Sequence, residues 1–424
     1  MLKFFWRNLF STLVVICFAA FLLAPLWLDR NDPLPGAPQN KCEKHLTDPA
    51  HDPRRICRPN DDIKIIRLTN SGEFADRCEL TNALYELNWD RDRPSESFGA
   101  AACPDAQSLP KLAVLYIHGW KHDASPDDDD LKNFTALIHD LRKRHANKKY
   151  VVGIFVGWNA SAGLPGLFEN VSFWVKKTDA DRIAQSSVVT KIVSSMGAIT
   201  KAAPGRADQF ITIGHSFGAR MLFSATTQSL IYETEKAHPG FPRGQYKLVE
   251  GSADAVILLN PAFEASRYSA VDDITRYEEH FSEKQPPLII TVATDNDWAT
   301  QKAFPIGQWL GLARSDRELT TLGNYQPFFT HALTPLGTGN CRTSEPSSLT
   351  ENFGAAKLCL SRTSRINAPV QPHNPFIVAR TSSDIIDGHN GIWGAAFTTW
   401  LAELVTALEA RNDEAASIKE RPTR

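Results

Sequence analysis

The stretch QFITIGHSFGARMLFSATTQSLI, residues 209–231, decides the fold of this chain. Its first five residues form a short run of β-formers, of the kind found in strands that are buried on both faces. A turn with two glycines follows, and the remaining residues have a composition typical of a helix. The stretch therefore predicts a strand, a sharp turn and a helix in direct succession, with Ser216 at the turn.

Short hydrophobic runs of this type recur along the chain and alternate with helical patterns. The predicted strands are residues 63–68, 112–117, 150–156, 209–213, 255–259, 288–292 and 376–379. The predicted helices are residues 129–145, 178–201, 217–232, 266–284 and 392–410. Because strands and helices alternate, the sequence predicts an α/β fold with a doubly wound, mostly parallel sheet.

The segment 324–375 interrupts this alternation. It is rich in Pro, Ser, Thr, Gly and Asn, and an insert without secondary structure is uncommon in a compact domain unless it is functional or cross-linked. Of the seven cysteines, Cys17 lies in an apolar N-terminal run, which leaves six. Six cysteines allow 15 pairings. We predict only Cys341–Cys359, because these two are isolated together late in the chain, and the pairing of the other four stays open. A zinc site is the rival explanation, but no CxxC or HxxxH spacing supports it.

The N-terminal region predicts a membrane segment. Residues 9–28 form an uncharged apolar run of about the 20 residues that cross a bilayer as a helix. Lys3 and Arg7 precede this run, so the positive-inside tendency places the N-terminus in the cytoplasm and the rest outside, in the periplasm or at the cell exterior. No small-x-small site ends the run, which favours an uncleaved anchor over a cleaved signal peptide.

The composition is that of a globular protein behind this segment. Of 424 residues, 42% are hydrophobic, which is ample for a core, and the net charge of −2 gives no basic surface for nucleic acid. We expect residues 1–29 to be the anchor or signal and residues 30–60 a linker. Residues 61–412 then form one domain that includes the insert, and residues 413–424 a polar tail.

The turn Gly214-His215-Ser216-Phe217-Gly218 has the GxSxG spacing of a nucleophile elbow, in the strand–turn–helix setting that this motif requires. Side chains at the two glycine positions would collide with the neighbouring strand or helix. The serine stands at a helix N-terminus, where free N–H groups and the helix dipole favour negative charge. A glycine-rich turn with an inert serine is the alternative, but the setting favours Ser216 as a nucleophile.

The order of elements around GHSFG resembles the α/β-hydrolase superfamily, over roughly residues 63–410. Within it, the chain is most similar to bacterial hydrolases with an HGW-type loop, here His118-Gly119-Trp120, and a late DGHN motif at residues 387–390. The resemblance implies a triad in the order Ser, Asp or Glu, His, with no metal or organic cofactor.

The resemblance also implies an oxyanion hole. Its two donors are the N–H of Phe217 and that of Trp120, with Gly119 as the alternative to Trp120. The other interpretation of the HGW sequence is a plain turn in which His118 bonds to nearby backbone.

The family's acid follows the strand 288–292, where two aspartates stand close together. We prefer Asp297, because the Asn-Asp pair there opens the next helix as in related sequences, and we keep Asp295 as the alternative acid. The aspartate that is not used should be a helix cap or turn former. The acid's task is to hold the tautomer of the histidine and to stabilise its charged form.

Three histidines follow the acid, and only His389 comes after the last predicted strand and before a helix. The glycines around it suit a loop that reaches across the edge of the sheet. His331 and His373 lie in or beside the insert, and we expect them at the surface. His389 is therefore the predicted general base.

These residues predict a serine hydrolase that cleaves a carboxylic ester, a small molecule or a lipid, beside the membrane. The alternatives are amide hydrolysis or acyl transfer by the same triad, or an inactive membrane-tethered binding protein.

Two further features stay open in the sequence. The acidic run from Asp127 to Asp130 lacks the spacing of a calcium loop and is typical of a helix start. The aromatic residues Trp158, Phe173 and Trp174 belong either to the core or to a lid or acyl pocket.

Overall fold

The computed structural model of the protein describes residues 63–88, 109–146, 148–161, 172–202, 207–237, 248–277, 281–337, 341, 349–364 and 370–419. The expected anchor at residues 9–28 and the expected linker at residues 30–60 lie outside these ranges. Within the described ranges, no helix combines the length and the apolar character needed to cross a bilayer.

The described part of the chain forms strands and helices that are numbered here in chain order. The strands are β1 Lys64–Leu68, β2 Lys111–Ile117, β3 Tyr150–Trp158, β4 Gln209–His215, β5 Ala255–Leu259, β6 Ile289–Thr294, β7 His331–Pro335, β8 Asn352–Ala355, β9 Leu358–Arg362 and β10 Phe376–Thr381. The α-helices are α1 Arg77–Asn88, α2 Asp129–Arg144, α3 Ser172–Gln185, α4 Val188–Lys201, α5 Phe217–Ala237, α6 Ser269–Tyr277, α7 Phe304–Leu310, α8 Asp316–Leu319 and α9 Ala395–Lys419. Each predicted strand is present, with its ends within two residues of the prediction.

The strands form one sheet in the order β1-β3-β2-β4-β5-β6-β10-β7-β9-β8. Neighbours from β1 to β7 in this order run parallel. The pairs β7–β9 and β9–β8 run antiparallel. The predicted mostly parallel α/β sheet is therefore confirmed. Because parallel strands end at the same edge, the residues that follow β2, β4, β5, β6 and β10 gather at the carboxyl edge of the sheet.

Side chains of the central strands point alternately into two hydrophobic cores, one on each face of the sheet. In β2, Leu115 and Ile117 pack in the core formed with α1, α3, α4 and α5. Val114 and Tyr116 pack in the core formed with α2 and α9. Helices thus cover both faces, which is the doubly wound arrangement that the sequence predicts.

The expectation of a structureless insert at residues 324–375 is wrong. This segment supplies β7, β8 and β9, which extend the sheet beyond β10. Antiparallel strands need only one covered face, and Leu333, Phe353 and Leu360 provide it by packing in the core beside α9. The remaining side chains of these strands are partly polar, so the segment lacks the continuous apolar runs of the central strands.

Cysteine pairing in the insert agrees with the prediction. Cys341 and Cys359 form a disulfide; they are 18 positions apart in sequence, and their Cα atoms are 5.7 Å apart. Cys359 lies in β9, so the bond fixes residue 341 to the extended part of the sheet. Cys78 in α1 is also disulfide-bonded, a pairing that the sequence left open.

His331 is buried in β7, so the expectation that it lies at the surface is wrong. Its Nδ1 lies 2.9 Å from the hydroxyl of Thr330, and its Nε2 lies 3.1 Å from the carbonyl oxygen of Thr350. Burial lowers the pKa of His331 to about 4. The expectation failed because the surrounding segment is a strand rather than a loop; His373, outside any strand, is half-buried.

Helix limits differ from the predicted ones at several places. The predicted helix 266–284 is the shorter α6, Ser269–Tyr277, and the predicted helix 217–232 continues to Ala237. The predicted helix 178–201 is two helices, α3 and α4, because Ser187 has a left-handed backbone with φ +63°, which cannot continue an α-helix. At the C-terminus, α9 continues to Lys419, into the segment expected to be a polar tail.

Candidate active site

Ser216 lies at the turn between β4 and α5, at the carboxyl edge of the sheet. Its φ of +55° is left-handed, a conformation that costs a non-glycine residue about 1–2 kcal/mol. Two hydrogen bonds hold the turn: the N–H of Ser216 donates to the carbonyl of Leu259 at 3.0 Å, and its carbonyl accepts from the N–H of Ala262 at 3.1 Å. The strained turn is thus fixed by β5 and the loop that follows β5.

The two glycines of the GHSFG turn stand where a side chain does not fit. A Cβ on Gly214 would lie 2.7 Å from the Cα of Ala219, and a Cβ on Gly218 would collide with the carbonyl of Ile117. Both contacts are with backbone, which cannot rotate away as the end of a side chain can. The packing of the turn against β2 and α5 therefore requires glycine at both positions.

The HGW loop runs directly against the serine, because β2 and β4 are neighbours in the sheet. A Cβ on Gly119 would lie 2.7 Å from the Cβ of Ser216. The buried His118 fixes the loop: its Nδ1 donates to the carbonyl of Gly119 at 2.8 Å, and its Nε2 accepts from the N–H of Trp158 at 3.0 Å. Burial lowers the pKa of His118 to about 4, so the ring is neutral at neutral pH. His118 bonds to nearby backbone and at the same time places the loop beside Ser216.

Buried aromatic side chains pack together beside the GHSFG turn. The ring of Phe173, in the first turn of α3, lies 5.3 Å from the ring of Trp120 and 5.0 Å from that of Phe217, measured between centroids. Phe217 is the first residue of α5, and the first N–H groups of a helix have no acceptor within the helix. Trp158 and Phe173 thus belong to the core, and Trp174 packs against it.

His389 bridges Ser216 and Asp297 by two short contacts. Its Nε2 lies 2.7 Å from the Oγ of Ser216, and its Nδ1 lies 2.7 Å from an Oδ of Asp297. With the Nδ1 proton donated to the carboxylate, Nε2 is the nitrogen that faces the serine hydroxyl. Such an arrangement can take the hydroxyl proton as the oxygen attacks an electrophile. Ser216 and Asp297 are fully buried, and the imidazole of His389 is nearly so.

Both oxygens of the Asp297 carboxylate are in use. One bonds His389, and the other accepts the N–H of Thr300 at 3.1 Å, at the start of the helical run that leads into α7. Burial acts to raise the pKa of Asp297, but His389 and Thr300 together hold it below its usual range. The carboxylate is therefore ionised at neutral pH, as an acceptor for an imidazole N–H must be.

Asp295, the alternative acid, lies apart from His389. It is exposed, and its carboxylate accepts the N–H of Ser383 at 3.1 Å, while its own N–H donates to the carbonyl of Thr381. These bonds join the end of β6 to the end of β10. Asp295 thus stabilises a turn, which is the role expected for the aspartate that is not used.

The carbonyl of His389 is fixed by two side chains from neighbouring strand ends. Asn260, directly after β5, donates its amide to this carbonyl at 2.8 Å, and the amide oxygen accepts the N–H of Thr294 at 3.0 Å. His215 donates its Nε2 proton to the same carbonyl at 2.9 Å. Burial and the nearby His389 together lower the pKa of His215 to about 3, so His215 acts as a neutral donor.

A second asparagine holds the residues before His389. The side chain of Asn296 accepts the N–H of Gly388 and donates to the carboxylate of Asp387, both at 2.9 Å. Sequence reasoning missed Asn260 and Asn296. The available signal was their position: each follows a buried strand and so stands at the carboxyl edge of the sheet, where sites form in open α/β folds.

The acidic run at residues 127–130 pairs with a histidine beside the HGW loop. Asp128 is the N-cap of α2 and accepts the N–H of Leu131, so the predicted helix start is confirmed. Asp128 and Asp130 also lie 3.2 and 3.5 Å from the two ring nitrogens of His122. Although burial opposes it, both carboxylates raise the pKa of His122. His122 in turn holds the pKa of Asp128 well below its usual range, again against the effect of burial.

A buried cluster of charges lies one turn into α5. The guanidinium of Arg220 lies 2.9 Å from the carboxylate of Glu264 and also contacts Asp181 of α3. Glu264 accepts a further bond from the side chain of Gln308 of α7 at 2.8 Å. Although burial acts the other way, Arg220 and neighbouring cations hold the pKa of Glu264 well below its usual range. The cluster ties α3, α5 and α7 together beside the serine.

In the described ranges, no group of His, Cys, Asp or Glu side chains is arranged as a metal site. No protein-family model matches the chain, and no curated protein matches it.

Some solved structures are similar to the chain at low identity. The crystal structure of esterase PE8 is 16% identical with a TM-score of 0.25, over 49% of this chain and 82% of that one. An inhibited esterase B from Lactobacillus rhamnosis is 13% identical with a TM-score of 0.27, over 74% and 81%. An uncharacterized protein from Pseudomonas aeruginosa is 10% identical with a TM-score of 0.25, over 78% and 49%.

Proposed function

We propose that the protein is a serine hydrolase of the α/β-hydrolase type that cleaves carboxylic esters. Ser216 is the nucleophile, His389 the general base and Asp297 the acid that orients His389. The observation that carries this proposal is the pair of 2.7 Å contacts that link the three side chains in this order. The left-handed backbone of Ser216 and the glycines that pack around it support the same interpretation.

In the proposed reaction, the Oγ of Ser216 attacks the ester carbonyl while its proton passes to the Nε2 of His389. Asp297 stabilises the imidazolium that forms. The N–H groups of Phe217 and Trp120 donate hydrogen bonds to the negatively charged carbonyl oxygen. One such donor stabilises the transition state by about 3–4 kcal/mol. His389 then protonates the leaving alcohol, and water, activated by the same base, hydrolyses the acyl-enzyme.

We further propose that residues 9–28 anchor the protein in a membrane with its hydrolase domain outside the cytoplasm. Lys3 and Arg7 before the apolar run support this orientation. The disulfide Cys341–Cys359 supports an oxidising compartment. An ester beside or within the bilayer, a small molecule or a lipid, is then the proposed substrate.

Covalent labelling tests the catalytic assignment. We expect a fluorophosphonate to label the protein and Ser216→Ala to abolish the labelling, because the reagent bonds to an activated serine oxygen. Ser229→Ala is the matched control: Ser229 is exposed on the same helix, α5, and its replacement should leave the labelling unchanged. Persistent labelling of the Ser216→Ala protein would disprove the assignment, and a panel of esters of graded acyl length would identify the preferred substrate.

A further inference from the structure

Most of the large apolar side chains that are exposed in the described ranges lie in one segment, residues 298–312. They are Trp298, Ile306, Trp309, Leu310 and Leu312, each between 51 and 69% exposed. Single exposed apolar residues are normal on protein surfaces, but five within 15 positions of chain indicate a contact surface. These five side chains are called the apolar face below.

The opposite side of α7 is packed inward, which fixes the apolar face outward. Phe304 is buried, and Gly307 lies against the indole of Trp174 so closely that no side chain would fit. Gln308 bonds to the buried charge cluster through Glu264. Ile306, Trp309 and Leu310 are three and four positions apart, so they share the remaining side of the helix.

The apolar face and the candidate active site share one segment of chain. Trp298 directly follows Asp297, whose carboxylate caps the N–H of Thr300. The indole N–H of Trp174 donates to the carbonyl of Ala303 at 3.1 Å, which joins this segment to α3. The first turn of α3 carries Phe173, whose ring contacts that of Phe217, the residue after Ser216. Whatever covers the apolar face therefore lies beside the carboxyl edge of the sheet.

Exposed charges around the apolar face nearly cancel. The cationic side chains are Lys302, Arg314 and Arg317, and the acidic ones are Asp295 and Asp316. A strongly charged partner, such as a nucleic acid, would require an excess of one sign. Tryptophan beside aliphatic side chains is instead the composition that prefers the boundary between lipid headgroups and acyl chains.

The sequence before residue 63 indicates how the apolar face comes close to a lipid bilayer. Residues 9–28 are apolar and long enough to span a bilayer, and residues 29–62, which are 34 positions, separate this run from Ile63. A stretch of 34 residues reaches at most about 120 Å, even when fully extended. A domain anchored in this way stays within reach of the bilayer surface.

We propose that the apolar face docks on the surface of the lipid bilayer and turns the carboxyl edge of the sheet toward it. This inference rests on the proposed function, and it names the bilayer surface as the place from which the site takes an apolar ester.

A fluorescent label at position 312 tests the docking directly. Full-length Leu312→Cys protein is labelled with an environment-sensitive dye and reconstituted into phosphatidylcholine vesicles at one chain per vesicle. The control is Tyr232→Cys, on α5, which is similarly exposed but lies outside the apolar face. The unsubstituted chain, labelled in the same way, gives the background from native cysteines.

We expect blue-shifted emission and quenching by nitroxide lipids for the label at position 312, but not for the label at position 232. Salt should change neither result, because the nearby charges cancel. A label at 312 that stays as exposed to water as the label at 232 overturns the proposal. Quenching that needs several chains per vesicle also overturns it, because the face would then bind a second copy. Since Ser216→Ala protein can be used throughout, a failed docking test is distinct from a failed assignment of the activity.

A second variant links the face to substrate. Trp309→Ser combined with Leu310→Ser should lower the hydrolysis of a vesicle-borne ester several-fold and leave that of a short soluble ester unchanged. Equal loss on both esters would contradict the docking role.

Discussion

Asp295 and Asp297 are two positions apart at the end of β6, yet their surroundings differ in kind. The carboxylate of Asp297 is closed off from water and bonds an imidazole, whereas that of Asp295 is exposed and bonds a backbone N–H. A carboxylate that must hold one tautomer of an imidazole needs the first environment, since water would compete for the same proton. Burial, more than spacing along the chain, separates the two aspartates.

We expect Asp297→Asn to lower kcat by about 10⁴-fold, because an amide in this place favours the wrong tautomer of His389. Asp295→Asn should change kcat little, because its carboxylate holds only the turn after β10. Steady-state kinetics with a soluble ester compares the two variants. The reverse ranking would transfer the role of the acid to Asp295.

The ion pair of His122 and Asp128 stabilises the fold over a limited range of pH. The raised pKa of His122 means that its contribution is complete below about pH 6.5, the pKa of an unfolded histidine, and is lost as the pH rises through the folded-state pKa. The lowered pKa of Asp128 means that its contribution is present above about pH 3.9 and is lost as the pH falls through the folded-state pKa. The two contributions overlap between these values.

We therefore expect His122→Gln to lower the Tm most at about pH 5 and least at about pH 9. Thermal unfolding followed by circular dichroism measures both differences from the unsubstituted protein. His122→Gln is a cleaner change than Asp128→Asn, which would also remove the N-cap of α2 at every pH. An equal deficit at both pH values would contradict the pairing.

Among the elements, the loop after β10 depends on its neighbours for its shape. Asn260 has φ +42°, a conformation that glycine adopts freely, so Asn260→Gly removes the amide without backbone strain. We expect kcat to fall by about 10²-fold with KM nearly unchanged, because the imidazole of His389 shifts when its carbonyl loses a donor.

A matched control for this prediction is Asn390→Ala. Asn390 lies in the same loop as His389 but is exposed, and its replacement should leave kcat unchanged. If Asn260→Gly raised KM and kept kcat, the role of Asn260 in positioning His389 would be refuted.

The parallel strands were predictable because both of their faces are buried, which leaves continuous apolar runs such as AVILL in β5. The strands β7, β8 and β9 were not predictable in this way. Their sequences, HALTP, NFGA and LCLSR, are short, and some of their side chains are partly exposed. The helix break at Ser187 was also missed, because the apolar pattern continues through it.

The residues of the candidate site likewise include some that could be predicted from the sequence and some that could not. Ser216, Asp297 and His389 could be selected from a motif and from chain order, and the structure brings their side chains together. Asn260 carries no motif, and its amide reaches His389 only through the topology that places β5 beside β4 and β6.

For the molecule as a whole, the state of the cysteines reports where the protein resides. We expect Cys341 and Cys359 to resist alkylation in protein from its native compartment until a reductant is added, and the protein to fractionate with membranes. Closing this loop of 18 positions stabilises the native state by roughly 3 kcal/mol in the chain-entropy model. Mass spectrometry of non-reduced peptides measures the pairing. Free alkylation of both thiols would contradict the location outside the cytoplasm. Full-length protein in the soluble fraction would contradict the proposed membrane anchor.

Ser216 precedes His389 by 173 positions, and Asp297 precedes it by 92. Contacts between residues this far apart form late in folding. Closing such a long loop costs conformational entropy before the contacts that stabilise it have formed. Synthesis proceeds from the N-terminus, so the serine and its strained turn are complete long before β10 and the loop that follows it exist. A chain that stops short of β10 therefore lacks His389, the proposed base. Under the proposed function, ester hydrolysis begins only after His389 has been synthesised and the central sheet has formed.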